Sequence, residues 1–186
     1  MTKFLSIFET EYDLAEALIK RDPTAQRIFY DTFSGKFLGI CCRYIGDRMA
    51  AEDIMVECMV KIFEKANQFG FKGSFEGWAK KLLVNEALTY LRSKKMFEVT
   101  IEEMHELPNS YSQNMDFESE DLLKLIQALP NGYRTIFNLY AIEGYNHKEI
   151  GKLLGISEGT SKSQLSRARV ILQGQLKKNE KYGCSI

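Results

Sequence analysis

The chain is poor in proline, with three residues in 186, and it has no apolar run approaching the ~20 residues of a membrane-spanning helix. Membrane insertion is therefore not expected. The amino terminus, MTKFLSIFETEYDLAEAL, carries acids where a secretory signal needs a basic start and an apolar core. Cysteine is sparse: Cys41, Cys42, Cys58 and Cys184 lack metal-ligand spacing, and only two histidines could help them. Reduced thiols in a cytoplasmic protein are expected, with two of them serving as small apolar residues in helices. His105 and His147 have no nucleophile or metal set around them, and the acids form no evident catalytic pair. No catalytic residue, metal or cofactor is expected, and an enzyme has little support. Sustained period-two alternation is also missing, which argues against a sheet and for an all-α fold.

Net charge is absent as well, but only on average. There are 25 basic and 25 acidic side chains, unevenly placed. Residues 96–121 hold eight acids and no Lys or Arg, whereas residues 122–186 hold ten bases against four acids. Residues 72–95 hold six bases against Glu76 and Glu86. Two basic blocks flank an acidic strip, so zero charge conceals two candidate phosphate-binding surfaces.

What is present is helical periodicity. A first helix from about Glu11 to Arg21 turns Leu14, Ala17 and Leu18 inward. Asp22-Pro23 then restarts the chain, a capping acid before a proline at the first helical position. The next helix puts Phe29, Phe33 and Phe37 on one side. Asp47 opens another, MAAEDIMVECMVKIFEKA, with Ile54, Cys58 and Ile62 inward and Glu52, Asp53 and Glu57 on the other face. Those acids suit either a solvated face or a docking face for a basic helical partner. NQFGFKGS breaks the pattern with two glycines yet carries Phe69 and Phe71, and exposed aromatics are costly unless they pack on something. Ser74 caps a long basic helix in which Trp78, Leu82, Asn85 and Leu88 approximate one stripe. An aromatic loop feeding a basic helix is a platform for unstacked bases, although Phe75 and Trp78 also suit a core.

Residues 96–119 are acidic and aperiodic. About twenty irregular residues inside one compact domain are improbable, so this stretch is expected to link a first domain, 1–95, to a second, 120–186. In the second, Leu122, Leu125, Ile126 and Leu129 form a short helix, and Pro130 opens another that buries Ile136, Phe137 and Tyr140. GYNHKEIGKLLGISEGTSKSQLSRARVILQGQL follows and reads as a helix-turn-helix. Asn146 and Glu149 make a capping box, Gly155 a left-handed stop, and Ser157 a new cap. Gly151 is small enough for close approach. Leu165, Ala168, Leu172 and Leu176 share one stripe. Thr160, Ser163 and Arg167 lie about half a turn away with Gln164 beside them, and Lys162, Ser166 and Arg169 flank. Small hydroxyls, an amide and forked donors suit a major groove, where they meet base edges and phosphates. A solvated outer face on a core helix is the plainer account.

ALPNGYRTIFNLYAIEGYNHKEIGKLLGISEGTSKSQLSRARVIL resembles the fourth conserved region of extracytoplasmic-function sigma factors, bacterial initiation subunits of RNA polymerase. AEDIMVECMVKIFEKA with FKGSFEGWAKKLLVNEALTYLR resembles their second. The resemblance implies two small helical domains joined by a flexible acidic linker that threads the polymerase cleft. The first would dock on the clamp helices of the largest polymerase subunit through Asp47, Glu52, Asp53 and Glu57. It would also open the minus-10 promoter element, with Phe71 and Asn85 at the pocket of a flipped-out base and Lys80, Lys81, Arg92 and Lys94 on the single-stranded backbone. The second would read the minus-35 duplex through the recognition helix. An anti-sigma factor is a further implied partner. The chain departs from the family at Ser161, where a branched apolar residue is usual, at Gly151 for alanine, at Thr89 for aspartate, and in a shorter FKGSF loop. Ser161 on the buried stripe should loosen its helix. The alternative is a freestanding helix-turn-helix regulator whose first domain is a sensor or a dimerisation module.

Overall fold

The computed structural model describes residues 8–94 and 119–182, with the side chains of 119–122 and 178–182 left aside. Eight helices, and no strand, are found among these residues: α1 (Glu11–Ile19), α2 (Pro23–Ile45), α3 (Arg48–Lys65), α4 (Phe75–Ser93), α5 (Ser119–Gln127), α6 (Asn131–Phe137), α7 (His147–Leu154) and α8 (Glu158–Tyr182). A 3-10 turn, Ala66–Gln68, follows α3, and a π-helical turn, Asn138–Ile142, continues α6. The chain divides into two compact units, Met1–Tyr90 and Leu91–Ile186. Of the expected linker, only Ser119 is described, and it opens α5; residues 96–118 and Cys184 lie outside the described residues.

Local signals start the helices of the first unit. Thr10 and Asp13 form a capping box on α1. Asp22 accepts from the backbone of Thr24 and Ala25 ahead of Pro23, and Asp47 accepts from Ala50 to start α3. The core forms where α2, α3 and α4 meet. Phe29 is fully buried and sets its ring edge-on to Phe63 of α3 and Phe75 of α4, with centroids 5.9 and 5.6 Å away. Ion pairs brace the outside: Lys61 to Glu86 at 2.6 Å between α3 and α4, and Lys36 to Glu76 between α2 and α4.

One helix keeps most of its expected register, with Cys58 and Ile62 of α3 buried as expected, and a second, α4, is rotated from it. The inward face of α3 is Ala51, Met55, Cys58, Met59 and Ile62, with Ile54 only half-buried. That of α4 is Phe75, Ala79, Leu83, Ala87, Leu88 and Leu91; Trp78 and Leu82 flank it, and Asn85 is exposed. Alanines cause the shift. Ala79 and Ala87 are small enough to let α4 pack closely, and a stripe drawn through the largest residues misses them. In α1, Leu14 and Leu18 are buried as expected, but Ala15 accompanies them and Ala17 is half-buried. Cys41 and Cys58 are buried free thiols, and burial pushes both pKa values up to about 12. They act as small apolar groups.

In the second unit, Leu125, Ile126, Leu129 and Tyr133 pack against Ala168 and Leu172 of α8. Ile136 is buried as expected, whereas Phe137 and Tyr140 are half-buried. Arg134 is buried among them and donates to the carbonyl of Gln127 at 2.6 Å and to the side chain of Asn131. Burial lowers its pKa to about 10, so the guanidinium stays charged and staples the α5–α6 corner. The helix-turn-helix is built as its sequence implies. Asn146 and Glu149 cap α7 reciprocally, Gly155 takes a left-handed φ of 71°, and Ser157 accepts from the backbone of Thr160 at 2.9 Å.

Gly151 has a stricter role than helix approach. A Cβ there would lie 2.8 Å from the carbonyl oxygen of Ile156, inside the turn itself. An alanine there would collide, so the turn closes tightly onto α7. Gly151→Ala is expected to destabilise the second unit by about 1–3 kcal/mol, the cost of overpacking a site with little room to relax. Urea unfolding of the full chain checks this. An unmoved midpoint would mean that the turn retreats freely.

Candidate nucleic-acid and polymerase interfaces

Burial of Ser161, Leu165, Ala168 and Leu172 decides which side of α8 faces water. Lys162, Ser163, Ser166, Arg167 and Arg169 are exposed, and Thr160 and Gln164 are half-buried beside them. The cations are already steered by neighbours. Lys162 pairs with Glu158 at 2.6 Å, and Arg167 donates to the hydroxyl of Tyr133 at 3.4 Å. Arg169 lies over the ring of Tyr140, 5.6 Å from its centroid. Thr160 and Ser163 bond locally, to Ser157 and to the Thr160 carbonyl. Lys162 and Arg169 therefore share one flank while Arg167 leans to the other, and exposed Val170 lies between. Sequence reading passed over Val170; its only signal is an apolar residue out of phase with the buried stripe.

Ser161 is a correction in kind. Its hydroxyl is fully buried but not idle, since it lies 2.9 Å from Nδ1 of His147, whose ring stacks on Tyr140 at 4.6 Å. The polar substitution on the stripe is matched by a polar partner on α7. It links the two helices instead of loosening one.

In the first unit, Lys81, Asn85 and Thr89 recur every four residues on one exposed face of α4, and Arg92 continues that face by helical spacing. Lys80 is half-buried and a quarter turn away, so it does not join them. The Thr89 hydroxyl donates to the carbonyl of Asn85 at 2.8 Å. Phe69 is buried against Phe75 and Trp78, which resolves how the loop tolerates its aromatics. Phe71 remains 41% exposed and holds a positive φ of 52°. A bulky residue seldom adopts that conformation.

The four acids of the α2–α3 region are not equivalent. Asp47 is engaged as the α3 cap, and Glu52, half-buried, pairs with Arg48 at 2.9 Å. Asp53 and Glu57 are exposed on the outer face with Met49, Val56 and Val60 around them, Met49 being 78% exposed. The face is an acid–apolar mosaic. Its apolar part was not assigned from the sequence, which singled out only the acids of this face. Among the described residues, no group of His, Cys, Asp or Glu could hold a metal, and no helix is long and apolar enough to cross a membrane.

Two helical units, one with an acid–apolar helix and a basic aromatic-loop helix, the other with a helix-turn-helix, define a transcription initiation factor of the sigma-70 class. Residues 29–96 match the model of Sigma-70 region 2, and residues 119–172 match that of Sigma-70, region 4. The chain is 26% identical over 174 residues to the ECF RNA polymerase sigma factor SigW of Bacillus subtilis, covering 85% of this chain and 92% of that one. It is 25% identical over 176 residues to the RNA polymerase sigma-H factor of Pseudomonas aeruginosa, covering 87% and 91%. Among solved structures it is similar to the sigma factor RpoE of Bartonella quintana in complex with the anti-sigma factor NepR. That likeness has 21% identity and a TM-score of 0.52, over 80% of this chain and 94% of that one. It is also similar to CnrH in complex with the cytosolic domain of CnrY, at 17% identity and a TM-score of 0.50, over 90% and 97%. These structural likenesses bear on the fold. The chain belongs to the ECF type of sigma factors: it binds core RNA polymerase and directs promoter-specific transcription initiation. A match to region 2 stands where a freestanding regulator would carry a sensor.

The Ser161–His147 contact can be tested directly. Ser161→Ala leaves Nδ1 of a part-buried imidazole without its partner and is expected to cost about 1–2 kcal/mol of stability. Chemical unfolding of the full chain reads it, and an unchanged midpoint would show the contact to be incidental.

Proposed function

We propose that this sigma factor works through three surfaces that its helices turn outward. The outer face of α3 docks on the clamp helices of the largest polymerase subunit. The Phe71 loop, Asn85, Lys81 and Arg92 engage the melted minus-10 strand, and Lys80, off that face, contributes less. The recognition helix reads the minus-35 duplex through Thr160, Ser163, Gln164 and Arg167, with Lys162, Ser166 and Arg169 on phosphate. Residues 96–119 join the domains 1–95 and 120–186 as a linker through the polymerase cleft. The protein acts in the cytoplasm, without catalysis of its own, and answers to an anti-sigma factor, as the complexes of RpoE with NepR and of CnrH with CnrY suggest.

The observation that supports this reading most is the α3 face. Met49, Val56 and Val60 are left in water beside Asp53 and Glu57, although the opposite face of the same helix is fully packed. Exposed apolar side chains ringed by acids suit a partner helix that is both apolar and basic. Asp47 and Glu52 contribute less, since each is occupied locally. Reversing charge at Asp53 and Glu57 together is expected to abolish co-elution with core polymerase at moderate salt while leaving the circular dichroism unchanged. Retained co-elution would remove α3 as the docking element.

The duplex surface makes a separate prediction. Arg167→Ala is expected to cost about 1–3 kcal/mol on the preferred minus-35 site and to flatten base preference there. Lys162→Ala should weaken all duplexes alike and lower the salt slope by about one unit. Selection from randomised duplexes at two salt concentrations separates them. If Arg167→Ala keeps the base preference and only the salt slope falls, Arg167 meets phosphate.

A further inference from the structure

The first helix and the aromatic loop are far apart in sequence but bonded along their whole contact. The Tyr12 hydroxyl donates to the carbonyl of Gly73 at 3.2 Å. The Glu11 carboxylate accepts from the Ser74 hydroxyl at 2.9 Å and from the backbone N–H of Glu76. Consecutive residues of α1 thus hold both the end of the loop and the first turn of α4. Ser74 in turn accepts from the N–H of Gly77, so Glu11 and Ser74 divide the free donors of that helix start.

The Tyr12 ring does more than pack. It lies 6.2 Å from the ring of buried Phe69 and 5.8 Å from that of Phe71, yet it is itself 43% exposed. Two part-exposed aromatic residues from elements some sixty positions apart are therefore neighbours at one place. Phe71 is held there in a backbone conformation that a bulky residue seldom adopts. Lys72, exposed, stands next to it in the chain, and Lys81 is exposed on the helix that follows. Neighbouring, part-exposed rings with exposed cations close by in the chain match the chemistry of an unstacked base and its phosphate.

We propose that Tyr12 is a stacking and positioning residue of the base-binding loop: its ring takes one face of an unpaired nucleobase together with Phe71, and its hydroxyl holds Gly73 in place. This rests on the reading of Phe71 and Asn85 as the minus-10 pocket. The first helix is then part of the promoter-opening surface and not only a cover for the core.

The test uses full-length protein reconstituted with core polymerase. Single-stranded DNA of ~12 nucleotides, selected from a random pool by the wild-type holoenzyme, carries 2-aminopurine at each position in turn. Tyr12→Leu keeps an apolar contact with Phe69 but offers no ring face. It is expected to lose about tenfold in affinity, as the loss of one stacking partner does, and to lose fluorescence quenching at one position. Tyr12→Phe keeps the ring and loses only the bond to Gly73, so quenching should persist with a two- to threefold weaker affinity (about 0.5 kcal/mol, the low end for one neutral hydrogen bond). Core binding and duplex minus-35 binding should be unchanged in both, and thermal melting monitors the fold. If Tyr12→Leu binds like wild type while Phe71→Ala and Asn85→Ala fail, the pocket stands and the role of Tyr12 falls. If all three bind like wild type, the pocket reading itself falls. If Tyr12→Leu loses core polymerase instead, the rings meet a protein side chain and the proposal is overturned.

Discussion

Phe29 is the point on which the first unit turns. Its ring meets Phe33 and Phe37 along α2, Phe63 from α3 and Phe75 from α4, so one side chain touches every long helix of that unit. From Phe75 the contacts continue outward through Phe69 and Phe71 to Tyr12, each ring 5.1 to 5.8 Å from the next. Each such pair is worth roughly 0.5–1.5 kcal/mol beyond the area it buries. The consequence is mechanical. A loop containing two glycines would otherwise wander, but here its aromatics form the outer end of a packed core, and a close-packed interior transmits position. The surface proposed to meet promoter DNA inherits its shape from the centre of the unit.

In the second unit the governing constraint is backbone proximity. The absent Cβ at Gly151 lets the Ile156 carbonyl approach, and the backbone N–H of Ile156 bonds back to the Gly151 carbonyl at 3.0 Å. That closure, with Gly155 in the left-handed region, sets the angle at which α8 leaves the turn. Burial of its inner stripe then settles the outer face. The cations on that face are parked on Glu158, Tyr133 and Tyr140. The Lys162–Glu158 pair is exposed and screened by water, so it holds the lysine only weakly. On the reading proposed above, such contacts orient the side chains before DNA arrives and lessen the ordering that binding must supply.

On the same proposed reading, the two units divide the work by the state of the nucleic acid. The aromatic rings and exposed amide of the first suit bases that have left the stack, and the hydroxyls and guanidiniums of the second suit base edges within an intact groove.

Most helix caps and stops, which act within three or four residues, could be read directly from the sequence. Asp22 before Pro23, Asp47, the Asn146–Glu149 box, Gly155 and Ser157 are all found as caps and stops, because a capping side chain reaches only its own first turn. The stripe Leu165, Ala168, Leu172 could be read for the same reason: helical spacing alone puts it on one face. What lay beyond reach is every choice that depends on which helix lies alongside. The rotation of α4 toward Ala79 and Ala87, the exposure of Met49, Val56 and Val60, and the pairing of Ser161 with His147 belong to that group. So do the bonds from Glu11 and Tyr12 to residues 73–76. An amphipathic pattern states that a helix has a buried side, and a capping residue states where it begins. Only packing against a neighbour decides how close the helices come and therefore which small residues turn inward. It also decides which distant polar groups meet, because each contact is chosen by the shape of the partner and not by the spacing of its own chain.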